Sequence, residues 1–148
     1  WAYQNVPRRI IAEEYISELG KDDLLDYKMF SFHGEPKLTV VCSDRFSKTG
    51  TRMNFYDINW EPMGIHFGHY PPLPTEFPKP ATYEEMKRLT AELSKDCPFL
   101  RVDFYEIKGR LYIGELTFFP GAGFEKFRPM SKDYELGEWL HLETVHRG

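Results

Sequence analysis

The stretch FLRVDFYEIKGRLYIGELTFF, from Phe99 to Phe119, decides the fold of this 148-residue chain. Two arms rich in Val, Ile, Tyr and Phe flank Lys108–Gly109–Arg110, the pattern of an antiparallel hairpin with strands over Phe99–Ile107 and Leu111–Phe119. Side chains alternate along a strand, so Arg101, Asp103 and Tyr105 share one face and the apolar Leu100, Val102 and Phe104 share the other. On the return arm Leu111, Ile113, Glu115 and Thr117 share a face. Whether that is the face of Asp103 depends on the turn. A two-residue loop at Lys108–Gly109 puts Glu115 on the opposite side, whereas a three-residue loop over Lys108–Arg110 sets Asp103 against Glu115 and Arg101 against Thr117.

Carboxylates roughly 5 Å apart across a strand pair repel unless something positive lies between them. Arg101 offers the ordinary structural answer, an ion pair on a strand surface. The functional answer is Mg²⁺, which takes few oxygen ligands from protein and borrows phosphate oxygens. Gly114 removes a side chain beside Glu115, and Phe118 to Gly123 (FFPGAG) leaves the strand through a glycine-rich turn too irregular for a dinucleotide fingerprint.

Upstream, Thr82 to Lys95 reads as a helix. Thr82 and Glu85 form a capping box, Met86, Leu89 and Leu93 make one buried stripe, and Pro98 stops continuation. Asp26 to Val41 (DYKMFSFHGEPKLTVV) reads as a second hairpin turning at His33–Gly34–Glu35–Pro36. Ile10 to Ile16 (IIAEEYI) reads as a strand running into a turn, and Ser17 to Asp23 as a loop. Ser43 to Trp60 is irregular with room for one strand, and Pro71 to Pro80 is an extended connector. Tyr134 to Leu142 has the pattern of a short amphipathic helix. Strands joined by hairpins dominate, so the expected class is α+β, an antiparallel sheet with helices packed on one face.

Length and composition set the bounds. The chain suits one domain, and 41% hydrophobic with 16% aromatic residues argues against disorder. A formal charge of −4 gives no support to nucleic acid or an anionic membrane as main partner. Cys42 and Cys97 are too few for a disulfide framework or a zinc cage and read as reduced thiols of a cytoplasmic protein. No apolar run reaches the roughly 18 residues of a membrane span. His66 and His69 have a metal-compatible spacing but no third ligand nearby, and His33 reads as a turn residue. Trp60, with Phe55 and Tyr56, reads as core, although an exposed aromatic there would stack on sugar rings.

RVDFY at 101–105 and GELTFFPGAGF at 114–124, with Glu115 twelve residues after Asp103, resemble the C-terminal end of an ATP-grasp ligase. More narrowly they resemble the TupA-like branch, linked to synthesis of teichuronopeptide and other cell-surface polysaccharides. EEYI at 13–16, DYKMFSFHGEPK at 26–37, FYDINW at 55–60 and PATYEEM at 80–86 extend the resemblance over nearly the whole chain. It implies an ATP- and Mg²⁺-dependent carboxylate–amine ligase acting through an acyl phosphate, with nucleotide, carboxylate and amine as partners. Residue by residue, Asp103 and Glu115 match the acidic metal ligands. Thr117 stands where many such enzymes have Asn, a third metal ligand, and offers a hydroxyl of shorter reach in its place. Arg101 matches the arginine that stabilises the reaction intermediate. Glu13, Glu14 and Ile16 match the segment that reads the adenine edge. Asp26 matches the acid that accepts from the ribose hydroxyls, and Lys28 stands on the same strand face within approach of a phosphate. The resemblance favours the odd-length hairpin loop, which brings Asp103, Glu115 and Arg101 to one face. It also implies that residues 1–148 are the C-terminal catalytic part of an ATP-grasp domain, with a phosphate-binding lysine and glycine-rich lid supplied from before Trp1.

Other readings make different demands. A non-catalytic carbohydrate-binding module, or a glycosyltransferase-associated protein, would use Trp60 and Tyr70 on a glycan without nucleotide. A glycoside hydrolase would use Asp103 and Glu115 as its acid pair.

Overall fold

In the computed structural model, residues 3–14, 16, 24–43, 50–68, 70 and 76–142 are described. Strands β1 (Asp26–Phe32), β2 (Glu35–Ser43), β3 (Arg52–Asp57), β5 (Phe99–Ile107) and β6 (Arg110–Thr117) form one antiparallel sheet in the order β3-β2-β1-β5-β6. β4 (His66–Phe67) and β7 (Phe127–Arg128) form a separate two-stranded ribbon. Helix α1 spans Tyr83–Ser94 and helix α2 spans Met130–Gly137. The α+β class and the antiparallel sheet are as the sequence implies.

The sheet is covered on both sides, because its central strands are apolar on both. Tyr27, Met29, Val41, Leu100, Val102 and Phe104 pack with Tyr83 and Met86 of α1. Phe30, Phe32, Leu38, Val40 and Phe55 pack with Phe67 of β4 and Leu136 of α2. The two helices are therefore divided between the faces, which corrects the expected packing on one face: central strands apolar on both sides need cover on both. On β1 and β5 this second face is apolar toward the Phe32 end, while its other end carries Asp26, Lys28 and Asp103.

Both hairpins close with two-residue turns in the left-handed region, His33–Gly34 (φ 50° and 81°) and Lys108–Gly109 (φ 52° and 74°). These turns match the twist of paired strands, and Gly at the second position carries the positive φ without a Cβ penalty. The first turn falls where expected but is shorter than His33–Pro36, since Glu35 and Pro36 already pair with Phe32 and Ser31 in the ladder. The second corrects the three-residue loop over Lys108–Arg110, since Arg110 pairs with Ile107 inside the ladder.

A two-residue turn alone would set Glu115 against Val102. The register instead shifts between Asp103 and Phe104, so that Phe104 pairs with Ile113 and Asp103 with Glu115. Gly114 is the extra residue of this bulge. A Cβ built there would lie 2.6 Å from Cε2 of Tyr105, so glycine permits the Tyr105 ring to lie against the bulged backbone. The facing of the two acids is as expected, and the bulge brings it about.

Several local expectations need correction. α1 has no capping box: the backbone N–H and the hydroxyl of Thr82 donate to Oε2 of Glu106 on β5 at 2.8 and 2.5 Å. A carboxylate from a neighbouring strand thus satisfies the donors that Glu85 was expected to share. The buried side of α1 is Tyr83, Met86, Thr90 and Ser94, while Leu89 is partly buried and Leu93 is exposed. The rotation follows from polar pairing, because Ser94 meets Ser31 of β1 at 2.7 Å and donates to the Thr90 carbonyl at 2.6 Å.

α2 begins at Met130 and ends at Gly137, earlier than the expected 134–142. Ile10 to Glu14 form no strand, and Ile10 and Ile11 are exposed. β3 is the strand expected within 43–60. The loop over 17–23 and residues 71–75 of the proline-rich connector lie outside the described residues.

Candidate functional site

Three adjacent strands deliver charge to one point. Lys28 of β1 pairs in register with Asp103 of β5, and Asp103 pairs with Glu115 of β6. Asp26 and Arg101, two residues from members of that row, lie on the same face by strand alternation. Asp26 and Asp103 are 1% and 2% exposed, a depth at which unpaired carboxylates are costly.

Cations meet that cost. Lys28 Nζ lies 2.6 Å from Asp26 Oδ2 and donates a short hydrogen bond to Asp103 Oδ2. Arg101 clamps Asp103 from the other side, Nε to Oδ1 at 2.6 Å and Nη2 to Oδ2 at 2.8 Å. Burial pulls the Lys28 ammonium down, but the Asp26 and Asp103 carboxylates outweigh it and raise its pKa above the ordinary 10.5. Glu115 is more open, with Oε2 3.6 Å from Arg101 Nη2 and Oε1 accepting from the Thr117 hydroxyl at 2.8 Å.

Above this cluster is a cavity of about 200 Å³ lined by Glu13, Ile16, Asp26, Lys28, Asp103, Tyr105, Ile113, Gly114 and Glu115. Six residues singled out from the sequence thus meet at one place: Glu13, Ile16, Asp26, Lys28, Asp103 and Glu115. Arg101 and Thr117 are not among its lining residues and reach it through Asp103 and Glu115. Glu14 is exposed and does not line it. Tyr105, Ile113 and Gly114 were not singled out as site residues. A glycine inside an otherwise apolar strand is the signal of a bulge, and here it marks the cavity wall.

The donor set suits Mg²⁺ in one respect and resists it in another. Asp103 and Glu115 face one another, and an ion that keeps waters and takes phosphate oxygens needs no more protein ligands than these. Both Asp103 oxygens are held by Lys28 and Arg101, however, so an ion entering here replaces a cation already present. Among the described residues no group of three or more His, Cys, Asp or Glu is arranged to hold a metal. The Thr117 hydroxyl is committed to Glu115.

The remaining candidates have structural partners. Trp60 stacks on Tyr56 at 4.5 Å, meets the edge of Tyr83 at 4.8 Å and donates its indole N–H to the Phe77 carbonyl. His33 sits in its turn and accepts from the His141 backbone. His66 is in β4, and His69 lies outside the described residues. Cys42 is buried and Cys97 is partly buried against the α1-side core. Among the described residues no helix is long and apolar enough to cross a membrane.

A sequence-family profile described as TupA-like ATPgrasp matches residues 1–141. Comparison with curated proteins and with solved structures finds no match.

Proposed function

The chain belongs to the TupA-like ATP-grasp family, and from that membership and its buried charge cluster we propose an ATP- and Mg²⁺-dependent carboxylate–amine ligase acting in cell-surface polysaccharide synthesis. The observation that carries the reading is the convergence of Glu13, Ile16, Asp26, Lys28, Asp103 and Glu115 on one cavity. Residues 1–148 serve as the C-terminal catalytic part of the ATP-grasp domain.

In this reading Glu13 and Ile16 meet the adenine edge at the cavity mouth, with Glu14 beside them. Asp26 accepts from the ribose hydroxyls. Lys28 exchanges Asp103 for a phosphate oxygen, a short move for a flexible ammonium with rotatable donors. Asp103 and Glu115, with Thr117 behind Glu115, would hold Mg²⁺, which would supply charge neutralisation at the phosphates. Arg101, freed on one side, faces the negative charge that develops on the activated carboxylate. A carboxylate oxygen bonds to the γ-phosphorus as ADP leaves, and an amine nitrogen then displaces phosphate from the acyl carbon to give an amide.

The alternatives draw less support. A glycan-binding surface at Trp60 would need a ring that is already stacked on Tyr56. A glycosidase acid at Asp103 would need an oxygen free to carry a proton, and both are clamped by cations.

Calorimetric titration with ATP and Mg²⁺ tests the assignment. Asp103→Asn/Glu115→Gln is expected to weaken Mg²⁺-dependent ATP binding about a hundred-fold or more, since each of the two lost charged contacts is worth roughly 1.5–3 kcal/mol. Binding that survives unchanged in a folded double variant overturns the metal assignment.

A further inference from the structure

The face that carries the charge cluster does not end there. Phe30 pairs in register with Arg101, and Arg101 with Thr117. Past this row the same face opens into a second cavity of about 670 Å³, within the size range of small-molecule sites. Its apolar surface comes from Phe30, Phe32 and Phe99 of the sheet, Phe127 of β7 and Leu136 of α2. The Phe118–Pro120 segment, which leaves β6 directly after Thr117, the ladder partner of Arg101, also lines it.

The charge of this groove is one-sided. The carboxylates lining it are Asp96, Glu125 and Asp133, the other ionisable lining group is the Cys97 thiol, and no Lys, Arg or His joins them among the described residues. Asp133 already accepts the Phe127 backbone N–H through Oδ1 at 2.8 Å, and Glu125 has a partner as well. Carboxylates around an aromatic lining favour a ligand with an apolar body and a cationic group, since acids and ring faces both attract cations. The same carboxylates repel an anionic ligand of similar shape.

We propose that this groove binds the amine acceptor, and that the acceptor is an apolar or aryl-alkyl molecule bearing a protonated amino group. The acceptor role rests on the ligase reading; the ligand class rests on the groove itself. The bound ammonium gives one proton to a groove carboxylate. Its nitrogen lone pair then bonds to the acyl carbon near Arg101, phosphate leaves with the C–O electron pair, and the second N–H proton goes to that phosphate.

The test is a set of NMR titrations of the protein, without nucleotide, using 4-phenylbutylamine, 4-phenylbutanol and 4-phenylbutyrate. The amine is expected to bind about ten-fold more tightly than the alcohol, the value of a hydrogen bond to a charged group, and to shift the Phe127 and Leu136 amide resonances. In Asp96→Asn/Glu125→Gln, two substitutions that keep side-chain shape, the preference for the amine should disappear. Equal affinity for amine and alcohol, shifts confined to the Lys28 cavity, or an undiminished preference in the folded variant overturns the proposal. A separate ATP titration distinguishes the two readings. ATP binding without amine binding sinks the groove assignment alone, and amine binding without ATP binding sinks the acceptor role together with the ligase reading.

Discussion

At the scale of single residues, the chemistry of this protein depends on what neutralises Asp103. The side chain is buried in register between Lys28 and Glu115, and both of its oxygens accept from cations. Removing one partner leaves a buried charge short of compensation, so Lys28→Met should destabilise the fold by roughly 3 kcal/mol at neutral pH. The sign of the pH dependence follows from the raised Lys28 pKa. A folded-state pKa above the unfolded value gives stability that is complete below the ordinary 10.5 and lost as pH rises through the folded value. The stability gap between wild type and Lys28→Met should therefore hold from neutral pH to about 10 and narrow above it. Tyr83, which burial also pushes up, is present in both proteins and cancels in the difference. Thermal unfolding of the pair across pH 7 to 12 measures this, and a gap that widens in alkali refutes it.

At the scale of elements, the β5–β6 hairpin shows how a side chain's face is decided. Parity along a strand is strict, so one residue more or less exchanges the core and solvent faces. Here the even turn at Lys108–Gly109 and the odd bulge at Gly114 combine to set Asp103 against Glu115. Strand propensity alone would favour Val at 114. Its Cβ would meet the Tyr105 ring at 2.6 Å, so Gly114→Val should instead cost about 1–3 kcal/mol. Tyr105→Ala in the same chain should recover part of that loss, and a double-mutant cycle by urea unfolding reads the coupling. Additive losses would show that the glycine serves something other than the tyrosine.

At the scale of the whole molecule, a sheet with two apolar faces divides the work. The face under α1 is packed continuously and is where stability resides: Phe104→Ala, at 0% exposure, should lower the unfolding free energy by about 3–5 kcal/mol. Phe124→Ala, at 84% exposure beside the glycine-rich turn, should change it by no more than about 0.5 kcal/mol. Urea denaturation of the two variants compares them directly, and a large loss at Phe124 would mean that the turn is packed. On the opposite face α2 and the β4–β7 ribbon pack toward one end, where they help line the aromatic groove, and the charge cluster with its own cavity lies toward the other. Much of this was written in the sequence. Alternation fixed which residues of β5 share a face, the Gly-containing turns marked where both hairpins reverse, and the ordered motifs around Asp103 and Glu115 pointed to the family, because all of these are local or depend on spacing along the chain. Tertiary structure decided the rest. Glu106 displaced Glu85 as the cap of α1, Ser31 turned the buried side of α1 toward Ser94, and the strand order set Lys28 beside Asp103. Each of these depends on a partner dozens of residues away, which short-range periodicity does not encode.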